Sequence, residues 1–99
     1  MSDILFELNG VAFVWERRKA AANPRLHDGV TFENAAEVFF DPFLRIFDAS
    51  RNDELRYKVI GYDASSRLLV VIHVEWQDES IRILSAWAAT PAERQTYDS

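Results

Sequence analysis

The sequence predicts an α+β domain in which helices pack against an antiparallel sheet. Helical apolar spacing is concentrated between residues 16 and 40, strand-like patterns fill residues 44–87, and an Asn-Gly pair separates two apolar runs near the start. Helices packed on one face of such a sheet make a two-layer domain and leave the other face open to solvent or a partner. A chain of 99 residues with 48% hydrophobic content is long enough for one core, so we expect a single domain over residues 1–99.

The first predicted element is a hairpin. Residues 4–8 and 11–15 are both apolar runs, and Asn9-Gly10 lies between them. This dipeptide favours the tight hairpin turn in which both central residues take positive φ. The hairpin should therefore be the N-terminal part of the sheet.

A helix is expected next, over about residues 16–27, with Pro24 inside it. Proline removes a backbone hydrogen bond and restricts the preceding residue, so the helix should end or kink near Asn23. Lys19, Asn23 and His27 are spaced four apart, and a continuous helix would align them on one face. Such a row beside a turn is a candidate anion site.

Two further helices carry clear capping signals. Thr31 can cap a helix over residues 32–40, which Pro42 should end. Near the C-terminus, residues 90–93 read Thr-Pro-Ala-Glu, a capping box with proline at the first helical position. A short C-terminal helix to about Tyr97 follows from it.

Four strands are predicted between the second and the last helix, as one antiparallel meander. The third of them is apolar on both faces for most of its length, which indicates an interior position in the sheet. The predicted strands are residues 44–48, 55–62, 67–77 and 80–87.

The turns of this meander decide which side chains meet. If Ser65-Ser66 and Asp78-Glu79 are both two-residue turns, five basic, acidic and imidazole side chains share one sheet face. These side chains are Arg56, Lys58, His73, Glu75 and Arg82. One extra residue in the first turn would move the side chains of the preceding strand to the other face.

The predicted cluster has the groups that metal-independent RNA cleavage requires. A base deprotonates the 2′-hydroxyl, an acid protonates the leaving oxygen, and cations stabilise the charged phosphorane. The candidates are Glu75 or His73 as base, His73 or His27 as acid, and Arg56, Arg82 and Lys19 as the cations. The alternative is a solvated sheet face with ordinary cross-strand ion pairs, and a hydrogen-bonded histidine in the core.

Composition narrows the remaining function classes. The absence of cysteine excludes disulfides and thiolate metal sites, and two histidines with scattered carboxylates match no metal-ligand spacing, so we expect no metal and no cofactor. A net charge of −5 argues against a broad nucleic-acid footprint but permits a local basic patch. We expect no signal peptide and a cytoplasmic location, because no basic region precedes an apolar run at the start.

Segments along nearly the whole chain, in the same order, resemble the BrnT family, the toxins of BrnT–BrnA type II toxin–antitoxin pairs. The matching segments are Trp15-Glu16-x-x-Lys19-Ala20, Asn23, His27-x-Gly29-Val30-x-Phe32-Glu33-x-Ala35, Glu54-x-Arg56, Ile60-Gly61, residues 68–75, residues 81–86, Glu93-Arg94 and Tyr97.

The resemblance implies a RelE-like fold and a ribonuclease toxin that stops translation. It also implies neutralisation by a BrnA-like antitoxin with a ribbon-helix-helix DNA-binding domain, so that DNA would be bound only by the complex. The assembly that the resemblance implies is a heterotetramer of two toxins and an antitoxin dimer. Arg56, His73, Glu75 and Arg82 lie on the matching segments.

A second interpretation remains open, that of a weakened or inactive BrnT-like protein that acts as a protein-binding module. Leu26, Trp87 and Ala88 stand where the family tends to have basic residues. Together with the net charge of −5, these residues favour the binding module.

Overall fold

Residues 2–99, which the computed structural model describes, form an α+β fold of three helices and six strands. The element order is the one that the sequence predicts, a hairpin, two helices, four strands and a helix. The elements are β1 (Asp3–Leu8), β2 (Val11–Glu16), α1 (Arg17–Leu26), α2 (Phe32–Val38), β3 (Arg45–Asp48), β4 (Tyr57–Tyr62), β5 (Leu68–Glu75), β6 (Ile81–Ala88) and α3 (Pro91–Asp98).

The N-terminal hairpin is confirmed. Strands β1 and β2 pair antiparallel from Asp3↔Glu16 to Leu8↔Val11. The turn between them has φ values of 50° at Asn9 and 81° at Gly10. Both are in the left-handed region, as the Asn-Gly signal requires.

The six strands form one mixed sheet in the order β1-β2-β6-β5-β4-β3. The prediction of a wholly antiparallel sheet is wrong at one junction, because β2 and β6 are parallel, with Phe13 opposite Ile81 and Val14 opposite Arg82. A parallel pair needs a long connection, and here two helices and three strands separate β2 from β6 in the chain. As predicted, β5 lies inside the sheet, between β4 and β6.

Helices α1 and α2 cover one face of the sheet and enclose the main core. This face is called the helix face below. Its fully buried apolar side chains come from β2, α2, β4, β5 and β6 and from the loop before α2. They are Phe13, Trp15, Val30, Phe32, Ala35, Ala36, Val38, Val59, Leu69, Val71, Ile83 and Ala86.

The opposite face is only partly open, because α3 packs against it. Tyr97 of α3 contacts a smaller buried cluster of Ile60, Leu68 and Val70. The Arg45 guanidinium donates hydrogen bonds to two carbonyls at the C-terminal end of α3. The part of this face that α3 leaves uncovered is called the open face. Within residues 2–99, no helix has the length and apolar character needed to cross a membrane.

Of the two predicted outcomes, an end or a kink near Asn23, the end is wrong, because helix α1 continues through Pro24 to Leu26. Its carbonyl hydrogen bonds extend beyond the proline, since the His27 N–H donates to the Asn23 carbonyl at 2.9 Å and the Gly29 N–H donates to the Pro24 carbonyl at 2.7 Å. Proline therefore removes one hydrogen bond in the last turn without ending the helix.

The capping predictions are confirmed for the other two helices. The Thr31 hydroxyl accepts from the Asn34 N–H at 3.0 Å, and α2 ends at Val38, two residues before its predicted end. At α3 the capping box is complete, because the Thr90 hydroxyl accepts from the Glu93 N–H and the Glu93 carboxylate accepts from the Thr90 N–H.

Candidate functional site

The turn between β4 and β5 has one residue more than the predicted two-residue turn. The Asp63 N–H donates to the Arg67 carbonyl at 2.9 Å, which leaves three residues in the turn. Ser66 takes a φ of 65°, the left-handed conformation common at the end of three-residue hairpin loops. The buried Asp63 carboxylate holds the turn by accepting from the N–H groups of Ser65 and Arg67, each at 2.9 Å.

This extra residue moves β4 by one position against β5. Lys58 lies opposite Ile72, and His73 lies opposite Tyr57. Residues opposite each other in a sheet share a face, so Lys58 is on the open face and His73 is on the helix face. The prediction that they share a face is therefore wrong.

The pairing of β5 with β6 also differs from the prediction. Three residues, Gln77–Glu79, make the turn, and Arg82 lies opposite Val74 where Glu75 was predicted. Arg82 is therefore on the open face. Glu75 lies opposite Ile81, which packs against the main core, so the prediction that Glu75 and Arg82 share a sheet face is wrong. The Glu75 side chain is exposed at the end of β5, where it still lines the same concavity as Arg82.

His73 is a core side chain. It is 7% exposed, its ring packs edge-on against Phe39 at 4.9 Å between centroids, and it lies 5.6 Å from the Tyr57 ring. Its Nδ1 atom is buried and has no hydrogen-bond partner among the residues described. Burial lowers the pKa of His73 to about 4, so the ring is neutral at pH 7.

The open face carries two adjoining concavities, called the open-face groove here. The first has a volume of about 340 Å³ and the second about 370 Å³, and both are lined by Arg56. The first is lined by Glu54, Leu55, Arg56, Val74, Glu75, Trp76, Arg82 and Leu84, and the second by Ala49, Arg51, Arg56, Ile72 and Trp87.

Two arginines of the groove are paired with carboxylates. Arg56 pairs with Glu54, and Arg82 donates from both terminal nitrogens to the Asp3 carboxylate, each at 3.0 Å. These hydrogen bonds lower the pKa of Asp3 and raise that of Arg82. The Arg82 guanidinium also lies over the Trp76 ring, 4.7 Å from its centroid.

The other two candidate residues, one on α1 and one just after its C-terminal end, differ in their relation to the groove. His27 follows the last turn of α1, and its ring is 6.1 Å from the ring of Trp87, which lines the groove. Lys19 is exposed eight residues earlier, which places it about 12 Å away along the helix. The structure brings His27 to one end of the groove but does not bring Lys19 there.

Asn23 explains why His27 lies at the edge of β6. Its side-chain amide donates to the Val30 carbonyl at 2.8 Å and to the Ala86 carbonyl at 2.9 Å, and its oxygen accepts from the Ala86 N–H at 3.4 Å. Asn23 is 4% exposed, so it joins α1 to the free edge of β6 and is not accessible to an anion.

Sequence reasoning missed Arg51, which lines the groove, and Asp3, which pairs with the groove residue Arg82. Asp3 pairs with Arg82 across 79 positions of the chain, and no local pattern indicates that contact. Arg51 reaches the groove because the β3–β4 loop turns through Asn52 and Asp53, both with positive φ. The Asn-Asp pair is a turn signal, but it does not show over which face the loop folds.

The groove can bind phosphate and support acid–base chemistry. Guanidinium groups bind phosphate oxygens in forked geometry, and the Glu75 carboxylate, which lines the first concavity, is a proton acceptor. The residues described contain no group of three His, Asp or Glu side chains placed to hold a metal ion.

Comparison with known families gives one match. Residues 15–93 match the family model described as "Ribonuclease toxin, BrnT, of type II toxin-antitoxin system". No curated protein matches the chain. The matched range includes every groove residue named above but not Asp3, the partner of Arg82.

Proposed function

Since the chain belongs to the BrnT family of ribonuclease toxins from type II toxin–antitoxin systems, we propose that it cleaves RNA in the open-face groove and so inhibits translation. The observation that carries the proposal is that Arg56 and Arg82 line one concavity together with Glu75. We also propose that the α+β architecture is of the RelE-like type.

The proposed reaction is an attack of the RNA 2′-oxygen on the adjacent phosphorus without a metal ion. Glu75 takes the 2′-hydroxyl proton, the bond from phosphorus to the 5′-oxygen breaks, and the protonated Glu75 returns the proton to that oxygen. Arg56 and Arg82 stabilise the extra negative charge of the phosphorane. The products are a 2′,3′-cyclic phosphate and a 5′-hydroxyl, so no oxidant or further reactant is consumed.

We assign the return of the proton to Glu75 and not to a histidine, because neither histidine reaches the phosphate beside Arg56 and Arg82. Trp87, the neighbour of His27, pairs with Val70, about 17 Å along β5 from Glu75, so His27 is left to contact a neighbouring nucleotide of the same RNA. The buried, neutral ring of His73 on the helix face cannot reach a phosphate bound on the open face. His27 is partly exposed beside Trp87, at the end of the groove. Lys19 lies outside the groove, and its proposed role is to bind a more distant phosphate of the same RNA.

The toxin proposal is tested by expressing the chain alone in a bacterial host and following growth and protein synthesis. The test variant is Arg56→Ala/Arg82→Ala, and the matched control is Arg18→Ala/Arg25→Ala, which removes the same charge from exposed positions on α1. Growth arrest by the wild type and the control, but not by the test variant at equal folded yield, supports the proposal. Normal growth with soluble, folded wild-type protein contradicts it.

The chemistry is tested with purified protein and a single-stranded RNA in excess EDTA. Glu75→Gln should lower the cleavage rate by about 10²–10⁴-fold, the usual contribution of a positioned acid or base, whereas His27→Gln should lower it by less than about tenfold. Glu33→Gln, an exposed carboxylate on α2, is the control and should cleave normally. Loss of wild-type cleavage in EDTA would contradict metal independence.

Membership of a type II family implies a protein antitoxin as partner. We propose that this antitoxin has a ribbon-helix-helix DNA-binding domain, that two toxins bind an antitoxin dimer, and that the pair acts in the cytoplasm. DNA is then bound by the complex and not by this acidic chain alone. Light scattering of the co-expressed pair measures the stoichiometry.

A binding module without catalysis is the second candidate. It is favoured by the carboxylates that already pair with Arg56 and Arg82, and by Trp87 at the groove. For this function, the wild-type chain should bind its antitoxin, leave growth unchanged and cleave no RNA in either assay.

A further inference from the structure

We infer that the open-face groove has two nucleobase subsites, one at Trp76 and one at Trp87, flanking a phosphate site at Arg56, so that its ligand is an unpaired RNA strand. The inference rests on the proposed function, because it specifies the substrate of the same groove. It adds the form of the RNA and the residues that would hold its bases.

The arrangement of the two concavities carries the first step. Each is bounded by one tryptophan, Trp76 or Trp87, and both include Arg56. Their volumes, about 340 and 370 Å³, are within the range of about 300–1,000 Å³ of small-molecule sites. Trp87 pairs with Val70 and Trp76 follows six residues later, so the two tryptophans lie about 20 Å apart along the sheet. A single strand of several nucleotides spans this distance, with a base at each end and phosphates between them.

The Trp76 subsite presents a flat surface. Trp76 is 42% exposed although it is a large apolar side chain, and the Arg82 guanidinium is stacked on it at 4.7 Å. Indole rings and guanidinium planes are the surfaces on which unpaired bases stack. Val74 and Leu84 line the same concavity and give it an apolar floor.

The Trp87 subsite is held rigidly. The indole N–H of Trp87 donates to the Glu93 carboxylate at 3.1 Å, which fixes the ring against the sheet. Arg51 and Arg56 line the same concavity, with Ile72 at its floor. A base on the indole therefore has two guanidinium groups within the same site for its phosphates.

Charge complementarity selects an anionic strand as the occupant of this face. The second concavity is lined by Arg51 and Arg56 and by no carboxylate, and Lys58 lies on the same face. In the first concavity Glu54 and Glu75 offset Arg56 and Arg82, so the excess positive charge of the groove is at the Trp87 subsite. Stacking on a side chain requires an exposed base face, and bases inside a duplex have both faces covered by their neighbours. A duplex can contact the cations but cannot use the tryptophans.

The test measures binding with a probe that cannot be cleaved. A short single-stranded 2′-deoxyoligonucleotide lacks the attacking 2′-hydroxyl, and the same strand annealed to its complement is the duplex probe. Binding is followed by fluorescence anisotropy of a labelled strand, for the wild type, Trp76→Ala, Trp76→Phe and Trp87→Leu. Phe43→Ala is the matched control, because Phe43 is 76% exposed and does not line the groove.

Tighter binding of the single strand than of the duplex is expected, with a loss of about tenfold or more for Trp76→Ala and Trp87→Leu. Trp76→Phe should restore most of the affinity, since a phenyl ring still stacks, and Phe43→Ala should bind like the wild type. The inference is overturned if the wild type binds neither probe, if it binds the duplex equally well, or if folded Trp76→Ala binds normally.

Failure of this inference is distinguishable from failure of the proposed function. Tryptophan-dependent single-strand binding by a protein that cleaves no RNA supports the subsites and contradicts only the ribonuclease. RNA cleavage that is unchanged in Trp76→Ala and Trp87→Leu overturns the subsites and leaves the ribonuclease.

Discussion

Replacement of Asn23 by alanine should be among the most destabilising single substitutions in the chain. The buried amide makes three hydrogen bonds, to the Val30 carbonyl and to both backbone groups of Ala86. Alanine leaves these groups without their partner at a site that is 4% exposed. At about 1 kcal/mol for each bond, Asn23→Ala should lower the free energy of unfolding by about 3 kcal/mol.

Urea unfolding followed by circular dichroism measures this loss. With a urea dependence of about 1.5 kcal/mol per M, the midpoint should fall by about 2 M. Lys19→Ala, at an exposed position of the same helix, is the control and should change the free energy by less than about 0.5 kcal/mol. A loss below about 1 kcal/mol for Asn23→Ala would refute the argument that this side chain joins α1 to β6.

Three further predictions concern other buried contacts. The pKa of His73 is about 4 in the folded protein and 6.5 in the unfolded chain, so the unfolded state takes up a proton first as the pH falls. The free energy of unfolding should therefore be unaffected by His73 above pH 6.5 and should fall by at most about 3 kcal/mol between pH 6.5 and pH 4. His73→Leu should remove this part of the pH dependence in acid unfolding titrations. Tyr97→Phe removes the 2.7 Å hydrogen bond to the Asp41 carboxylate and should lower the free energy of unfolding by about 1 kcal/mol in urea. Gly61→Ala places a Cβ 2.9 Å from a methyl of Val38 on α2, and this overpacking should cost about 1–3 kcal/mol and lower the melting temperature. An unchanged melting temperature would show that α2 shifts away from β4 without loss of stability.

Local signals in the sequence were sufficient for most elements of the fold. The Asn9-Gly10 turn, the Thr31 cap and the Thr90 capping box each depend on neighbours within four residues, and the structure confirms them. The parallel pairing of β2 with β6 depends on residues about 68 positions apart, Phe13 with Ile81 and Val14 with Arg82. No local pattern indicates such a pairing, because it is decided by how the whole core packs.

The candidate site was harder to predict than the elements that carry it. The predicted cluster depended on turn lengths, and the left-handed Ser66 adds the one residue that moves β4 against β5. Serine is uncommon at positive φ, so two-residue and three-residue turns were not distinguishable from the sequence. The same shift leaves Arg56 and Lys58 with Arg82 on the open face and separates them from His73.

The carboxylates that pair with the groove arginines do not prevent phosphate binding. The side chains of Glu54 and Asp3 are 64% and 46% exposed, and ion pairs of carboxylates so accessible to water contribute little to stability. A phosphate that replaces such a carboxylate forms equally forked, charge-assisted hydrogen bonds, so the exchange costs little. Before RNA binds, the ion pairs hold the guanidinium groups in place, with that of Arg82 over the Trp76 ring. Because these side chains are already ordered, less side-chain entropy is lost when RNA binds. The paired arginines are therefore compatible with an active groove, and the difference between a toxin and a binding module lies in whether Glu75 can move protons there.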